Sequence, residues 1–305
     1  MIWGGQRIAP YKGISTDVPC VGESWEISGY QDHLTVVDDG PLKGKTVADL
    51  TREYKADLVG KHVYQENGDV FPLLIKFIDA LGDLSLQVHP DDEMARRVHG
   101  PGFRGKTEMW YVIDAAPGAS LLCGMAREIT REEYEKHVAD GTITDVLVRH
   151  MVKPGDVFFL PAGRVHAICS GCMLAEIQQT SDLTYRIWDY GRLGLDGKPR
   201  QLHTELAKEA IDYKVYDKYL VSYTPAKDAC VELVSCKYFT TCVCDLTKPM
   251  TLELPDSFMV VMCISGSGTV NGVPVRQGRT VLVPASLGSV SLVPDGSMKV
   301  ITSHA

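Results

Sequence analysis

Three short segments of the chain combine residue types that hold a divalent transition metal. Gln87 and His89 stand two residues apart, Glu108 begins a later apolar segment, and His166 follows the turn-like run 161–165. Two imidazoles, a carboxylate and a carboxamide suit one such ion and leave room for water or a substrate. The set predicts a metal-dependent enzyme or a metal-dependent binding protein.

Zinc is the first choice for this ligand set. Two neutral imidazoles and one carboxylate are common around zinc in sites that keep an open position. Gln87 is a less usual zinc ligand, and occupancy follows metal availability as well as affinity. Manganese, iron and cobalt therefore stay open.

The pattern of strands explains how these residues can converge. Side chains alternate along a strand, so a strand at 84–89 points Gln87 and His89 the same way. Glu108 and His166 stand at the starts of two further predicted strands. If the three strands face one cavity, the four side chains meet.

Short strands separated by Gly and Pro turns predict a mainly β fold of the sandwich or jelly-roll type rather than βαβ units. Asp91 and Thr130 are predicted helix N-caps, and Asn271-Gly272 is a predicted hairpin turn. The principal predicted strands are 71–77, 84–89, 109–113, 157–160, 165–168 and 173–178, and the predicted helices are 46–54, 92–99, 130–139 and 204–214.

An internal repeat predicts two related β-barrels. Residues 154–162 and 276–285 both contain Gly, one polar residue, a short apolar strand and then Pro-Ala. The two copies differ where chemistry is concerned, because His166 follows the first at a position where Ser289 follows the second. Only the first barrel is predicted to bind metal.

Composition limits the function classes. The chain has 305 residues, 45% of them hydrophobic, which is ample for a large core. Its formal net charge is -8 and it has no basic run, which disfavours a nucleic-acid partner. A small anionic substrate stays open, because a few local arginine and lysine residues can outweigh a negative total.

The N-terminal sequence, the lengths of the apolar runs and the cysteines favour a cytoplasmic protein without a membrane segment. The N-terminus shows no signal-peptide pattern, and no apolar run is long enough to span a bilayer. Nine scattered cysteines argue against a closed disulfide framework. Cys169 and Cys172 form a C-x-x-C that we interpret as two ordinary thiols in a turn. A homo-oligomer is left open.

At these residues the chain closely resembles the type I phosphomannose isomerases, metal-dependent enzymes of the cupin superfamily, in their shorter bacterial form. The resemblance covers most of the chain, and its motifs occur in the same order. They are Trp3-Gly4-Gly5, Gly22–Glu26, Ser85–Pro90, Gly105–Glu108, Gly163–Ile168 and Ser181–Tyr190.

The resemblance implies interconversion of mannose 6-phosphate and fructose 6-phosphate through a cis-enediol(ate), with a sugar phosphate as the partner. The implied metal ligands are Gln87, His89, Glu108 and His166. The implied essential arginine is Arg186, and further pocket residues fall on Glu23, Ser85, Lys106, Asp182 and Arg192, with Trp3 at the pocket entrance.

The reaction moves a proton between C2 and C1 and develops charge on two oxygens. Arg186 is permanently cationic, so we expect it to stabilise the enediolate or to fix the reacting oxygens. Lys106, whose pKa a nearby metal would depress, and Asp182 are rival proton-transfer groups, and the sequence does not choose between them. Arg192 is the candidate phosphate ligand, because arginine binds phosphate with a bidentate fork.

The resemblance implies a catalytic cupin domain at 1–200, a helical connector at 201–227 and a second cupin-like domain without metal ligands at 228–305. Longer members carry an inserted helical domain that this chain lacks, and an aromatic residue where it has Ile168. Two alternatives remain, namely a non-catalytic sugar-phosphate-binding cupin and a metal-dependent oxygenase, since cupins serve many functions.

Overall fold

The computed structural model describes all 305 residues, and the predicted mainly β fold is confirmed. The helices are α1 (Ile8–Lys12), α2 (Val47–Val59), α3 (Lys61–Asn67), α4 (Asp92–His99), α5 (Arg131–Ala139) and α6 (Thr204–Ala210), with 3-10 turns at Ile143–Val146 and Ala285–Leu287. The strands are β1 (Glu23–Ile27), β2 (Gly29–Tyr30), β3 (His33–Leu34), β4 (Leu73–Asp79), β5 (Leu86–Val88), β6 (Glu108–Ala115), β7 (Ser120–Met125), β8 (Leu147–Met151), β9 (Val157–Leu160), β10 (His166–Ile168), β11 (Cys172–Gln179), β12 (Tyr185–Trp188), β13 (Ala229–Ser235), β14 (Thr240–Leu246), β15 (Met250–Glu253), β16 (Met259–Val270), β17 (Val273–Arg276), β18 (Thr280–Val283) and β19 (Ser289–His304).

The chain forms two compact units, each built from separated segments. Unit 1 comprises Met1–Ile8, Thr16–Ser24 and Phe77–Val221, and unit 2 comprises Ala9–Ser15, Trp25–Lys76 and Ser222–Ala305. The chain passes between the units within β1 and β4, because each of these strands contains residues of both. These units are defined by contacts within the chain. The domains predicted at 1–200, 201–227 and 228–305 are defined by function, and they stay a prediction.

Two sheets supply the core of unit 1. The first has the strand order β1-β4-β11-β6-β9, and the second has the order β12-β5-β10-β7-β8. Trp110, Phe158 and Leu174 from the first sheet pack with Leu121 and Ile168 from the second in one buried apolar cluster. Burial of these large side chains is the main force that holds the two sheets together.

Unit 2 has its own sheet and its own core. The strand order is β13-β14-β19-β16-β17, with β15 paired to β19 and β18 paired to β16. Val261, Val290 and Val300 belong to its buried cluster. Asn271 (φ 47°) and Gly272 (φ 78°) join β16 to β17, which confirms the predicted hairpin, since both central residues have the positive φ that such a turn requires.

The helix starts follow their predicted caps. The Asp91 side chain accepts a hydrogen bond from Met94 N at the start of α4. Thr130 and Glu133 form the predicted capping box of α5. The caps fit because a side-chain oxygen satisfies a backbone N–H that has no partner within the helix.

The predicted ends of elements are less accurate. The helix predicted to reach 214 is wrong beyond Ala210, because Ile211 is extended and Asp212 N donates to Gly163 O at 2.9 Å. The strand predicted from 71 begins at Leu73 instead, after Pro72, which has no N–H for a sheet ladder. Helix α2 has non-helical backbone angles at Lys55 (φ 48°, ψ -125°), directly after its predicted end, and a second helical piece continues to Val59. Helix α3 was not predicted.

The predicted turn position of the C-x-x-C pair is confirmed. Cys169 and Cys172 are buried free thiols where β10 gives way to β11. A disulfide that the sequence analysis did not predict joins Cys230 to Cys244, which are register partners on β13 and β14. Strand register, which spacing alone does not reveal, brings those two sulfurs together. None of the helices has the length and apolar character that crossing a bilayer requires.

Substitution of two glycines in unit 1 would distinguish the effect of backbone strain on stability from the effect of a side-chain clash. A Cβ added at Gly118 (φ +83°) would meet open space, whereas a Cβ added at Gly124 (φ +80°) would lie 2.0 Å from the Tyr219 ring. We expect Gly118→Ala to lower the free energy of unfolding by about 1–2 kcal/mol through backbone strain alone. Gly124→Ala should lower the free energy of unfolding by this amount and by a further ~1–3 kcal/mol, because the new methyl group would overpack against Tyr219. Urea unfolding measures both, and equal losses would contradict the clash.

Candidate metal centre and active site

Three neighbouring strands place Arg186, Gln87 and His166 in one row. Gln87 of β5 is the register partner of His166 on β10 and of Arg186 on β12. Directly opposed residues on adjacent antiparallel strands point to the same face, with Cβ atoms about 4.5–5.5 Å apart. The second sheet of unit 1 therefore presents a carboxamide, an imidazole and a guanidinium side by side.

Glu108 reaches this row from the first sheet. It begins β6 and is fully buried, while His89 lies two residues beyond Gln87, just after β5. The ligand atoms of His89, Glu108 and His166 all lie within 4.8 Å of one another. The structure thus brings together three of the four predicted ligands from both sheets.

Backbone carbonyl groups orient both imidazoles. His89 Nδ1 lies 2.7 Å from Leu183 O, and His166 Nδ1 lies 2.8 Å from Arg164 O. A carbonyl oxygen can only accept, so each Nδ1 carries the proton and donates it. Each Nε2 then presents a lone pair towards Glu108, which is how metal-binding histidines are commonly fixed.

The convergence of these lone pairs fits a cation. His89 Nε2 lies 3.5 Å from Glu108 Oε2, and His166 Nε2 lies 3.2 Å from Glu108 Oε1. His89 Nε2 and both carboxylate oxygens of Glu108 are buried without a hydrogen-bond partner. Buried acceptors without donors are costly, and a divalent ion among them would remove that cost. The residues present therefore fit a metal.

The protonation states agree with that fit. Burial, followed by the charge of Lys106, lowers the pKa of His89 to about 4, and burial also lowers the pKa of His166. Burial alone would raise the pKa of Glu108, but Lys106 and the two imidazoles outweigh it and hold that pKa well below its usual value. Neutral imidazoles and an ionised carboxylate are the forms that bind metal.

Gln87 borders the same centre. Its Nε2 lies 3.3 Å from His166 Nε2, and its side chain is half-buried. The two ends of a carboxamide are assigned from the surrounding hydrogen bonds. Rotation of this group by half a turn would present Oε1, its metal-binding atom, in place of Nε2. The position is consistent with the fourth predicted ligand.

Lys106 is held beside the centre by two carboxylates. Its Nζ lies 3.2 Å from Glu108 Oε2 and 4.0 Å from Glu176 Oε1, and the side chain is buried. Burial lowers the pKa of Lys106, but Glu108, Glu176 and Asp182 outweigh burial and the net pKa is raised. In this arrangement Lys106 is an ammonium group that can donate a proton.

Glu176 was missed by the sequence analysis. It lies on β11 opposite Trp110, whose Nε1 donates to Glu176 Oε2 at 2.8 Å. One signal could have found it, because Glu176 is the only acid within the apolar run 173–177. A carboxylate in a strand that is otherwise apolar is expected to be buried with a partner.

Arg186 contacts Ser85, one of the predicted pocket residues. Its Nε donates to Ser85 Oγ at 3.2 Å, and its Nη1 donates to Gln201 O at 2.9 Å. Burial, followed by the charge of Arg200, lowers the pKa of Arg186. Asp182, the other predicted proton-transfer group, is exposed and lies close enough to Lys106 to contribute to its raised pKa.

Arg192 lies beyond Arg186 along the chain. Its Nε and Nη2 donate to Asp189 Oδ1 at 3.0 and 2.8 Å, and its Nη1 donates to Asp83 O. Arg200, which the sequence analysis did not single out, donates to both oxygens of the same carboxylate.

The remaining predicted pocket residues occupy different surroundings. Trp3 is 6% exposed and belongs to the core cluster of unit 1 that also contains Trp110 and Leu174. Glu23 is half-buried at the start of β1. The predicted substrate contacts of Trp3 and Glu23 stay predictions.

Comparison with known proteins matches both ends of the chain to one family. The family model for the phosphomannose isomerase type I catalytic domain matches residues 1–105, and that for the mannose-6-phosphate isomerase cupin domain matches residues 230–305. The chain is 36% identical over 310 residues to the mannose-6-phosphate isomerase ManA of Bacillus subtilis (strain 168), covering 99% of this chain and 95% of the relative. It is 33% identical to the mannose-6-phosphate isomerase of Streptococcus mutans serotype c, covering 100% and 95%.

Solved structures agree with the sequence matches. The crystal structure of the mannose 6-phosphate isomerase from Bacillus subtilis superimposes with a TM-score of 0.89 at 33% identity, covering 100% of this chain and 96% of that chain. A zinc-bound mannose 6-phosphate isomerase superimposes with a TM-score of 0.79 at 14% identity, covering 100% and 96%, and that likeness shows the fold alone. The predicted cupin fold is confirmed.

The buried acceptors generate a prediction about metal content. Because three acceptor atoms lack donors, we expect the purified protein to retain about one divalent ion per chain. His166→Ala should lose that ion, whereas His137→Ala, a change at a histidine of α5 that contacts Thr142, should keep it. Elemental analysis after dialysis measures the metal, and equal metal content in the two variants would contradict the assignment.

Proposed function

The chain belongs to the type I phosphomannose isomerases, and on that premise we propose that it interconverts mannose 6-phosphate and fructose 6-phosphate. One observation of the site carries the proposal. The buried acceptors of His89, Glu108 and His166 lie next to a row that continues through Gln87 to Arg186. A metal-binding end and a cationic end beside each other suit a polar, negatively charged sugar.

We propose that His89, Glu108, His166 and Gln87 hold one divalent ion, with zinc first. The donor set supports zinc, and a solved mannose 6-phosphate isomerase of the same fold is zinc-bound. When bound, the ion supplies Lewis-acid polarisation of a sugar oxygen at C1 or C2. Leu183 O and Arg164 O keep the two imidazoles in the tautomer that this requires.

The protein's own groups account for proton transfer and charge stabilisation. Arg186 remains cationic, so its role is to stabilise the negative charge that develops on the enediolate oxygens. Lys106 is held in its ammonium form beside Glu108, and a bound metal would lower its raised pKa towards the range in which it can exchange a proton. Asp182, exposed near Lys106, is the rival group for removing the proton from carbon.

The phosphate of the substrate requires a cation of its own, and Arg192 is the proposed ligand. The proposed further substrate contacts are Glu23, Trp3 and Ser85. Of these, Ser85 accepts a hydrogen bond from Arg186. We assign these contacts from the family resemblance, and the positions of Ser85 and Arg186 support them.

The proposal extends to domain roles, location and assembly. The predicted catalytic domain at 1–200 contains every proposed ligand, and 228–305 is proposed to be a cupin-like domain without metal. Seven free cysteines support a reducing cytoplasm, and the Cys230–Cys244 disulfide is the exception. A homo-oligomer without nucleic-acid or membrane partners is the proposed assembly, which fractionation and light scattering can test.

The proposed reaction is tested by a coupled assay. With mannose 6-phosphate supplied, we expect fructose 6-phosphate to form, activity to be lost with a chelator, and zinc to restore it. His166→Ala and Arg186→Ala should abolish turnover while the far-ultraviolet circular dichroism stays that of the wild type. Sugar-phosphate binding by calorimetry without any turnover under any metal would replace the isomerase with a binding cupin.

The two rival proton-transfer groups are separated by isotope exchange. Replacing the group that removes the proton by a non-titrating isostere should lower kcat by about 10²–10⁴-fold. Lys106→Met and Asp182→Asn are compared for kcat and for exchange of the C2 proton into deuterated water. Loss of exchange in one variant alone identifies the base, and full exchange in both would exclude both residues.

A further inference from the structure

The buried carboxylate of Asp189 pairs with Arg192 and Arg200. Only Arg192 has a role in the proposed function. Asp189 follows β12 and its side chain is 6% exposed. Arg192 donates to Asp189 Oδ1 through Nε and Nη2, and Arg200 donates to Oδ2 through Nε at 2.7 Å and to Oδ1 through Nη2 at 2.5 Å. Both guanidinium groups keep about a quarter of their side-chain surface exposed.

The same cluster is tied to Arg186. Arg192 donates to Asp83 O, while Arg186 donates to Ser85 Oγ two residues further along the chain. Arg186 also donates to the carbonyl oxygen of Gln201, the residue that follows Arg200. Arg192 and Arg186 are therefore anchored to one short stretch of chain before β5, and Arg200 is anchored to Asp189.

Charge and hydrogen-bonding capacity both favour an anion here. Asp189 pairs with both Arg192 and Arg200, and Arg186 is close enough for the charge of Arg200 to lower its pKa. Arg200 uses Nε and Nη2 on Asp189, and Arg186 uses Nε and Nη1, so Nη1 of Arg200 and Nη2 of Arg186 donate no hydrogen bond within the protein. A phosphate monoester carries about 1.5–2 negative charges at neutral pH and offers three acceptor oxygens.

We infer that Arg200, through Nη1, extends the phosphate subsite proposed for Arg192, and that Asp189 is the positioning residue that holds both guanidinium groups there. The inference rests on the proposed isomerase function and adds Arg200 and Asp189 to it. Arg186 links this subsite to the metal centre, because it is the register partner of Gln87 and donates to the carbonyl oxygen of Gln201, the residue after Arg200. A sugar bound across Arg186 would have its phosphate at Arg200 and its reacting end at the metal.

Asp189 does more than neutralise charge in this arrangement. Without its carboxylate, Arg192 and Arg200 would repel each other, and their planar groups would lose the fixed direction that a bidentate contact provides. Because both contacts use the Nε side of each guanidinium group, they leave Nη1 of Arg200 facing away from Asp189.

The test compares Arg200→Met and Arg200→Lys with the control Arg97→Met. Arg97 is an exposed arginine of unit 1 that pairs with Glu209 and has no place in the proposed site. Steady-state assays measure KM for mannose 6-phosphate and kcat, and inorganic phosphate serves as a competitive probe. Elemental analysis follows the metal content.

Loss of a charged hydrogen bond corresponds to about tenfold to a hundredfold in binding. We expect Arg200→Met to raise KM and the inhibition constant of phosphate by that factor, with kcat and metal content unchanged. Arg200→Lys should fall between, because lysine lacks the fork. Asp189→Asn should raise the same two constants, and Arg97→Met should change neither.

Unchanged constants in Arg200→Met would overturn the inference, as would an equal effect in Arg97→Met. If Arg200→Met does not fold, Arg200→Lys decides, since lysine cannot contact Asp189 and present Nη1 at the same time, and a wild-type inhibition constant there contradicts the inference. Failure of the isomerase proposal looks different. In that case the wild type turns over no mannose 6-phosphate, and calorimetry with inorganic phosphate still reports whether Arg200 binds an anion.

Discussion

The convergence of acceptors without donors is the constraint on which the site depends. His89 Nε2 and the carboxylate of Glu108 face each other in a buried space without hydrogen-bond partners, and the nearest cation is the Lys106 ammonium group, 3.2 Å from Glu108 Oε2. Such an arrangement costs free energy unless a cation lies among the lone pairs. The carbonyl groups of Leu183 and Arg164 enforce it, because they commit each Nδ1 proton elsewhere.

Sheet geometry extends that centre into a binding surface. The register of β10, β5 and β12 sets His166, Gln87 and Arg186 side by side, and Glu108 closes the centre from the other sheet. The apolar packing of Trp110 and its neighbours keeps the sheets in place, so a core defect would also displace ligands. Strand register therefore sets the positions of His166, Gln87 and Arg186, whereas His89 lies just after β5.

Much of this could be predicted from the sequence, and the rest could not for physical reasons. Alternation along a strand placed Gln87 and His89 on one face, and side-chain caps located the starts of α4 and α5. The end of α6 depends on the contact of Asp212 with Gly163, far away in sequence. Spacing likewise could not reveal partners set by register or by long-range pairing, namely Glu176 with Trp110, Arg200 with Asp189 and Cys230 with Cys244.

The separation of the ligands along the chain has a consequence for synthesis. Gln87 and His166 are 79 residues apart, and Ser85 and Arg186 are 101 apart. Contacts between distant residues form late, after the intervening chain has been ordered. A nascent chain that has emerged only as far as residue 165 contains three of the four proposed ligand residues but lacks β10, so the full set is assembled only when that strand pairs with β5 and β7. The complete centre therefore depends on chain segments that are made far apart in time.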